Sequence, residues 1–267
     1  MTVFPLPNGI QPLGEDFLPP SKYSAVLLED KPSDIGPVMA SNNHNKTTAV
    51  FHASVKQNRR VTSDDHFQDV RLISFDLTGS SLTYSPGDVA MIQPQNSDEN
   101  VDLFFQVFAN QLDRNQFVSL EANWPETILP PEWILPSRFK LEECARRWWD
   151  LSCTPRRTFF QLLARFSSDE MEREKLLELS SSEGQQDLYN YCNRPRRTLV
   201  EVLFDFSKSA SKVPLAYLFD LIPAIKPRAF SIASSLKVNI CLDSFVSNDS
   251  FIIEFFNRLI RKSWRSS

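Results

Sequence analysis

Residues 226–235 read KPRAFSIASS, and the structural class of the chain is decided around this stretch. Pro227 fixes its own backbone and favours an extended conformation at Lys226, so the sequence predicts a strand that is entered from a turn. Side chains alternate along a strand, so one predicted face carries Phe230 and Ile232 and the other carries Ala229, Ser231 and Ala233.

Arg228 stands at the mouth of this predicted strand, two residues before the aromatic ring of Phe230. A guanidinium can bind a phosphate in a bidentate manner, and an aromatic ring can present a flat face to a planar ligand. The same ten residues also fit an edge strand with a solvated arginine. The choice between these two interpretations depends on the rest of the chain.

Two earlier segments also have strand periodicity, FHASVKQNRRVT at 51–62 and HFQDVRLISFDLTGSSLTYSPGDVAMIQPQN at 66–96. The second contains two predicted strands, at about 70–77 and 89–92, separated by turn residues at 78–81 and 85–88. After the opening stretch, LKVNICL at 236–242 alternates again. These segments predict antiparallel β structure, arranged as a small barrel or sandwich.

Between about 100 and 220 the apolar period changes to 3.6, which predicts helices. VDLFFQVFANQL at 101–112 has an apolar helical face, and three pairs have the spacing of a capping box, namely Thr158 with Gln161, Ser167 with Glu170, and Thr198 with Glu201. The proline cluster WPETILPPEWILP at 124–136 predicts a structured loop.

This order of elements predicts an α+β fold, an antiparallel β-barrel with an inserted helical domain at about 100–220, incomplete at its C-terminus. The barrel domain with its insert spans 46–242. Residues 1–45 are rich in Pro, Ser, Asn and Asp and predict a linker. Residues 243–267 predict an amphipathic helical tail whose apolar face carries Ile252, Phe255, Phe256, Leu259 and Ile260.

Composition excludes several classes of protein. The 267 residues carry a net charge of −4, so the chain is not a protein that coats nucleic acid. No apolar run approaches the roughly 18 residues of a membrane span, and we expect no signal peptide. The four cysteines are widely spaced and fit neither a zinc site nor a disulfide framework, so we expect reduced thiols and no metal site.

Glycine is scarce, since the chain has six glycines and average usage would give about three times as many. None stands within four residues of another, so neither glycine-rich phosphate loop, G-x-G-x-x-G or G-x-x-x-x-G-K, is present. The sequence therefore predicts that any nucleotide is bound on a fold other than a Rossmann domain.

Three stretches together resemble one family, the diflavin reductases such as cytochrome P450 reductase. YSPGDVAMIQPQN at 84–96 resembles the barrel segment of ferredoxin–NADP reductase-type FAD domains, and RPRRTLVEVLFDF at 194–206 resembles the end of their helical connecting domain. KPRAFSIASS resembles their Arg-x-Tyr-Ser flavin motif. The wording of these segments is most similar to the NADPH-dependent members that act in cytosolic iron–sulfur cluster assembly.

The resemblance implies FAD-binding residues but no catalytic residue. It implies that Arg228 binds the FAD diphosphate, that Phe230, beside Ala229, lies against the isoalloxazine ring, and that Ser231 bonds near the reactive flavin nitrogen. It also places Arg196 on FAD. Taken alone, the RPRR stretch fits a solvated helix start or a weak nuclear-localisation match equally well.

The chain also departs from this family. A Gly-x-Cys/Val-Ser/Thr motif is expected some 30 residues after the serine, where this chain has no glycine, and the FMN and NADPH domains are not recognisable. We therefore expect a truncated cytoplasmic FAD portion with weak FAD retention and no NADPH turnover of its own. Its expected partner is an anamorsin-like electron acceptor. A non-catalytic interaction module and an inert product are the alternatives.

Overall fold

The computed structural model describes residues 18–28, 50–80, 82–85 and 87–232, and the backbone of 250–257. The strands in chain order are β1 Tyr23–Leu28, β2 Ser54–Arg60, β3 Asp69–Asp76, β4 Val89–Ile92, β5 Phe117–Ala122, β6 Arg138–Lys140, β7 Arg228–Ser231 and β8 Ser250–Asn257. The helices are α1 Asp98–Val107, α2 Leu141–Arg147, α3 Arg157–Ala164, α4 Glu170–Ser180, α5 Gln185–Leu188, α6 Leu199–Asp205, α7 Ser207–Ala210 and α8 Leu215–Leu221, with a π-helical turn at Tyr189–Asn193. This content confirms a mixed helix and sheet fold.

The strands form three separate antiparallel sheets, with the orders β1-β5-β6, β2-β3-β8 and β4-β7. The described residues therefore contain no closed barrel, which the sequence had predicted. Strands β4 and β7 are only four residues long and pair with each other alone among the described strands. The predicted strand at 236–242 lies outside the described residues.

Strands β4 and β7 are neighbours although residues 93–227 separate them in the sequence. All eight α-helices of the described residues lie in this excursion, between residues 98 and 221. The excursion also contains β5 and β6, which sequence periodicity missed, and β5 pairs with β1. That the excursion forms a separate connecting domain stays a prediction.

Buried side chains form two clusters. The larger lies among the helices and is centred on aromatic rings, with the Trp149 ring 5.2 Å from Phe104 and 4.9 Å from Phe219. The smaller consists of Ile73, Phe75 and Leu77, from β3 and the residue after it. The helical segment therefore has a substantial core of its own, whereas the β3 region has a small one.

Only one of the three predicted capping boxes is found at the start of a helix. Thr198 caps α6 as predicted, because its main-chain N–H donates to Glu201 at 2.8 Å and its hydroxyl accepts from the Glu201 N–H. The other two were wrong. Thr158 lies inside α3, and α4 is capped not by Ser167 but by Asp169, whose carboxylate accepts from the Glu172 N–H at 3.0 Å.

The predicted linker and tail both need correction. Residues 23–28, within the predicted 1–45 linker, form strand β1. Residues 250–257, within the predicted helical tail at 243–267, form strand β8, which pairs with β3 from Asp69↔Asn257 to Asp76↔Ser250. The β3 ladder satisfies the backbone of this apolar segment, and a short apolar run does not separate helix from strand by periodicity. The other tail and linker residues lie outside the described ranges.

The proline cluster at 124–136 contains neither helix nor strand, which confirms the predicted loop. In the part of the chain that the structure describes, no helix has the length and apolarity needed to cross a bilayer.

Candidate functional site

Strand β7 carries four of the five predicted site residues. In its ladder with β4, Arg228 lies opposite Ile92 and Phe230 lies opposite Ala90. Phe230 is half-buried and packs against the smaller cluster, whereas Ala229 and Ser231 are exposed. The predicted alternation is therefore confirmed for residues 229–232, with Ser231 on the solvent side of the ladder, whereas Ala233 lies outside the described residues.

The approach to β7 is fixed by the segment 148–153, which follows α2. The Ile225 N–H donates to the Trp148 carbonyl at 2.7 Å, and the Asp150 N–H donates to the Pro223 carbonyl at 2.8 Å. These bonds flank a bridge between Trp149 and Ala224. Because only two residues separate Ile225 from Arg228, this short ladder sets where β7 begins.

The carboxyl group of Asp150 lies close enough to Arg228 for the arginine's charge to affect its pKa. Burial raises the pKa of the Asp150 carboxyl, and the positive charge of Arg228 opposes that rise. The side chain of Arg228 is itself exposed. An exposed guanidinium can bind an anion such as a diphosphate through its planar fork of N–H donors.

Arg196, the fifth predicted residue, has an unusual backbone. Its φ is +55°, which places it in the left-handed region that residues other than glycine rarely adopt. Its N–H donates to the Asn193 carbonyl at 3.3 Å, and the Arg197 N–H donates to the Cys192 carbonyl at 2.9 Å. Such backbone strain persists only where surrounding contacts hold it, and it concentrates at functional positions.

Arg197 is engaged by two neighbours that the sequence analysis did not identify. Its guanidinium forms an ion pair with Asp205 and lies over the Tyr191 ring, 4.5 Å from the ring centroid. The Tyr191 hydroxyl donates to the same carboxylate at 2.6 Å. Burial and this hydrogen bond raise the pKa of Tyr191, so the phenol keeps its proton. We call Tyr191, Arg197 and Asp205 the Asp205 cluster.

The segment 148–153 also holds the start of α6, two residues after Arg197. The Leu199 N–H donates to the Cys153 carbonyl at 2.8 Å, and the Val200 N–H donates to the Leu151 carbonyl at 3.1 Å. One short segment therefore bonds on one side to the helix that follows Arg196 and on the other to the turn that precedes Arg228. The structure brings the supports of these two arginines together, a long-range relation that no local pattern in the sequence marks.

The same segment contains a half-buried thiol. Burial, and then the negative charge of Asp150, raise the pKa of Cys153 to about 12. This thiol is therefore protonated near neutral pH and is not a nucleophile. Among the described residues no group of acidic, histidine and cysteine side chains could hold a metal ion.

Asn96 anchors the segment 148–153 from the other side. It ends the QPQN stretch after β4 and is almost fully buried. Its side-chain amide donates to the carbonyls of Ala145 at 2.7 Å and Trp149 at 2.6 Å, and its side-chain oxygen accepts from the Ser152 hydroxyl at 3.3 Å. Asn96 therefore ties β4, α2 and the support of Arg228 together.

The site fits a ligand that is both anionic and aromatic. The donors on β7 are a cationic guanidinium and an exposed hydroxyl, with an aromatic ring between them that the smaller cluster covers only in part. These groups suit a flavin dinucleotide, whose diphosphate needs a cation and whose ring needs an apolar surface.

The Arg-Ala-Phe-Ser strand beside a large helical excursion fits the flavin dinucleotide-binding class that the resemblance predicts. A family model described as FAD binding domain matches residues 43–240, and the chain belongs to that family. This match confirms FAD as the cofactor predicted from the resemblance.

Curated relatives confirm the predicted resemblance to diflavin reductases. An NADPH-dependent diflavin oxidoreductase 1 of Xenopus laevis is 45% identical over 246 residues, which are 89% of this chain and 40% of the relative. The protein of the same name from Mus musculus is 44% identical over 242 residues, 88% of this chain and 40% of the relative. One from Candida albicans is 37% identical over 193 residues, 68% of this chain and 30% of the relative. The chain thus spans about 40% of the length of the two animal relatives.

Proposed function

We propose that this chain is the FAD-holding portion of an NADPH-dependent diflavin oxidoreductase, in which electrons pass from NADPH through FAD and FMN to an acceptor protein. The observation that carries the proposal is the exposed Arg228 at the start of a strand reading Arg-Ala-Phe-Ser, inside the segment that matches the FAD-binding family. When bound, FAD supplies the exchange between two-electron hydride chemistry and electron transfer.

Each predicted site residue has one role in this proposal. Arg228 pairs with the diphosphate, as the fork of a guanidinium can do bidentately. The part of the Phe230 ring that the smaller cluster leaves open lies against the isoalloxazine, and Ser231, next to Ala229, donates from the solvent side of the ladder. Arg196 supplies a second positive charge from the loop before α6.

The excursion between β4 and β7 is proposed to be the helical connecting domain of a diflavin reductase, inserted into the FAD-binding domain. Its own aromatic core and the pairing of β4 with β7 at its two ends support this assignment. In this role it fixes where FAD lies relative to the domain that receives its electrons.

The pathway is proposed to be cytosolic iron–sulfur cluster assembly, with an anamorsin-like protein as the electron acceptor and the cytoplasm as the location. The three cysteines in the described ranges are all free thiols, which is consistent with a reducing compartment. A test mixes such an acceptor with NADPH and a full-length relative and measures how fast the acceptor is reduced. If an excess of this chain slows that reduction, the chain and the relative bind the same acceptor.

Equilibrium titration with FAD tests the core of the proposal. The purified chain is expected to quench FAD fluorescence saturably, with no NADPH oxidation by the chain alone. Arg228→Gln is expected to weaken FAD binding about 10- to 100-fold, because a hydrogen-bonded charge contributes about 1.5–3 kcal/mol. The FAD affinity of Arg228→Lys should lie between those of the unsubstituted chain and Arg228→Gln, since an ammonium is a point charge without the planar fork.

Arg138→Gln is the matched control, because Arg138 is an exposed arginine on β6, a strand of a different sheet. Its FAD affinity should equal that of the unsubstituted chain. Absence of saturable binding by the unsubstituted chain would contradict the proposed function. Equal losses in the Arg228 and Arg138 variants would instead show a nonspecific charge effect.

A second candidate function, docking of a partner without redox chemistry, is favoured by the loop 124–136. Three of its apolar side chains are exposed to solvent, Trp124 by 48%, Ile128 by 78% and Leu129 by 40%. Exposed apolar groups in one loop are typical of an interaction surface. Calorimetric titration of the FAD-free chain with the acceptor protein, repeated with Ile128→Ser, separates docking from cofactor binding.

A further inference from the structure

We propose that the Asp205 cluster is a positioning device that holds Arg196 in its left-handed conformation and so directs it to the FAD diphosphate. This inference rests on the proposed function. It assigns a role to Tyr191, Arg197 and Asp205. These residues lie near Arg196, the predicted FAD-binding residue, and do not themselves bind FAD.

The argument starts from the strain at Arg196. The two main-chain bonds described above, to Asn193 and Cys192, form the cap that commonly ends a helix, in which the residue at this place is left-handed. For a residue other than glycine this conformation is costly, so side-chain contacts that hold the loop favour it. On the N-terminal side, Pro195 has a fixed φ, and the preceding π-helical turn ends at Asn193. On the C-terminal side, Thr198 is fixed by the capping box at the start of α6. Arg196 and Arg197 are the two residues left between Pro195 and that cap.

Arg197 is the point at which the loop is anchored by its side chain. The guanidinium is held from one direction by the Asp205 carboxylate and from another by the face of Tyr191. The Tyr191 hydroxyl fixes the carboxylate in turn, at 2.6 Å. Asp205 ends α6, so the anchor connects the loop before this helix to the helix's last residue.

We assign the ligand contact to Arg196 and the anchoring contact to Arg197. Arg197 is committed to Asp205, and the reversed backbone at Arg196 sends its side chain in a different direction from that of a residue with ordinary φ. The loop is therefore organised before FAD arrives, and preorganised groups bind more tightly because less ordering is needed on binding.

FAD titration of four forms of the full chain tests the inference: unsubstituted, Arg196→Gln, Asp205→Asn and the double variant. We expect about tenfold weaker binding for Arg196→Gln and up to the same loss for Asp205→Asn. The double variant should bind within about twofold of Arg196→Gln alone, because residues that act through one another are not additive. A merely structural loss of stability would add to the first effect instead.

The control is Asp102→Asn, which breaks another partly exposed carboxylate–arginine pair, with Arg114 at 2.7 Å. It should leave FAD affinity unchanged. Tyr191→Phe is the second variant if Asp205→Asn does not fold, because it removes only the hydroxyl that fixes the carboxylate. Limited proteolysis with trypsin measures the order of this loop in the absence of FAD. Cleavage after Arg196 and Arg197 should be faster in either cluster variant than in the unsubstituted chain.

The outcomes separate the inference from the proposed function. No saturable FAD binding by the unsubstituted chain would overturn both. A loss with Arg196→Gln but none with Asp205→Asn or Tyr191→Phe would overturn the inference alone. Additive losses in the double variant, or unchanged trypsin cleavage, would also overturn it, since the cluster would then not act through Arg196.

Discussion

Asn96 offers the sharpest test of how the fold supports the candidate site. We predict that Asn96→Ala destabilises the chain by about 2–4 kcal/mol, although Asn96 touches none of the proposed FAD ligands. The residue is only 6% exposed, and its side-chain amide donates two short hydrogen bonds to main-chain carbonyls. Alanine removes both donors and supplies no replacement.

The magnitude follows from what each carbonyl has left. The next two amides after α2, those of Trp148 and Trp149, both donate to the Cys144 carbonyl, so the Ala145 carbonyl depends on Asn96. A buried acceptor without its donor costs about 1–3 kcal/mol. The Trp149 carbonyl still accepts from the Leu151 N–H at 2.9 Å, so the second lost bond costs about 1 kcal/mol.

Equilibrium unfolding in urea measures this loss. With a typical m-value of about 1–3 kcal/mol/M, a loss of about 3 kcal/mol lowers the midpoint by at least about 1 M while m stays constant. Asn100→Ala is the matched control, because Asn100 donates to the Ser152 hydroxyl at 2.9 Å in a solvent-exposed bond. That variant should cost less than about 1 kcal/mol.

Asn96→Asp extends the same test. A carboxylate would face two carbonyl oxygens, so at neutral pH this variant should be less stable than Asn96→Ala. Its penalty should shrink as the pH falls, because a protonated carboxyl can donate one of the two bonds. Equal midpoints for the Asn96→Ala and Asn100→Ala variants would refute the reasoning from buried acceptors.

Two further predictions concern other parts of the fold. The hydroxyl and N–H of Thr78 lower the pKa of the Asp76 carboxyl from 3.8 to about 2, so its contribution to stability is present above pH 3.8 and is lost as the pH falls towards 2. A carboxyl-carbon NMR titration should give that pKa, and Asp76→Asn should remove this part of the acid sensitivity. Gly184→Ala should destabilise the chain by about 1–3 kcal/mol, because its Cβ would lie 1.9 Å from the Glu178 carbonyl oxygen. Gly79→Ala meets no atom within 4 Å and should cost only the strain of its φ of +81°, so an equal loss of melting temperature in both variants would contradict this explanation.

Local chemistry predicted the parts of the fold that local contacts determine. The alternation of β7 follows from Pro227 and a period of two, and the cap of α6 follows from Thr198 and Glu201, which bond to each other. The same capping-box spacing was wrong at Ser167, because Asp169 lies closer to the helix start and supplies the acceptor itself. Spacing alone therefore predicts a cap only where no stronger acceptor stands nearby.

Long-range pairing explains most of what the sequence did not predict. Strand β1 pairs with β5, and β8 pairs with β3, so in each case the partner strand lies far away in the sequence. An apolar segment whose backbone is satisfied by a distant strand has no local mark that separates it from a linker or a helix. The closed barrel was wrong for the same reason, since sheet order depends on which distant strands meet.

The candidate site divides along the same line. The predicted ligand residues on β7 and Arg196 were identified through sequence motifs. Asp150 and Asn96 were missed because their contacts are with residues far away in the sequence. Asp205 was missed although it lies in the 194–206 stretch, because no spacing rule pairs it with Arg197. No local pattern predicts that an aspartate at the end of α6 forms an ion pair with an arginine of the loop before its start.

The support of the two arginines comes from the helical excursion more than from the ladder that carries Arg228. Strands β4 and β7 form only four residue pairs, and a two-stranded ladder of that length is marginally stable alone. The segment 148–153, by contrast, bonds to Asn96, to α6 and to the turn before β7, and it contains the buried Trp149 of the larger core. The spacing between Arg196 and Arg228 is therefore set by the packed helices, and the strand presents one of the two charges.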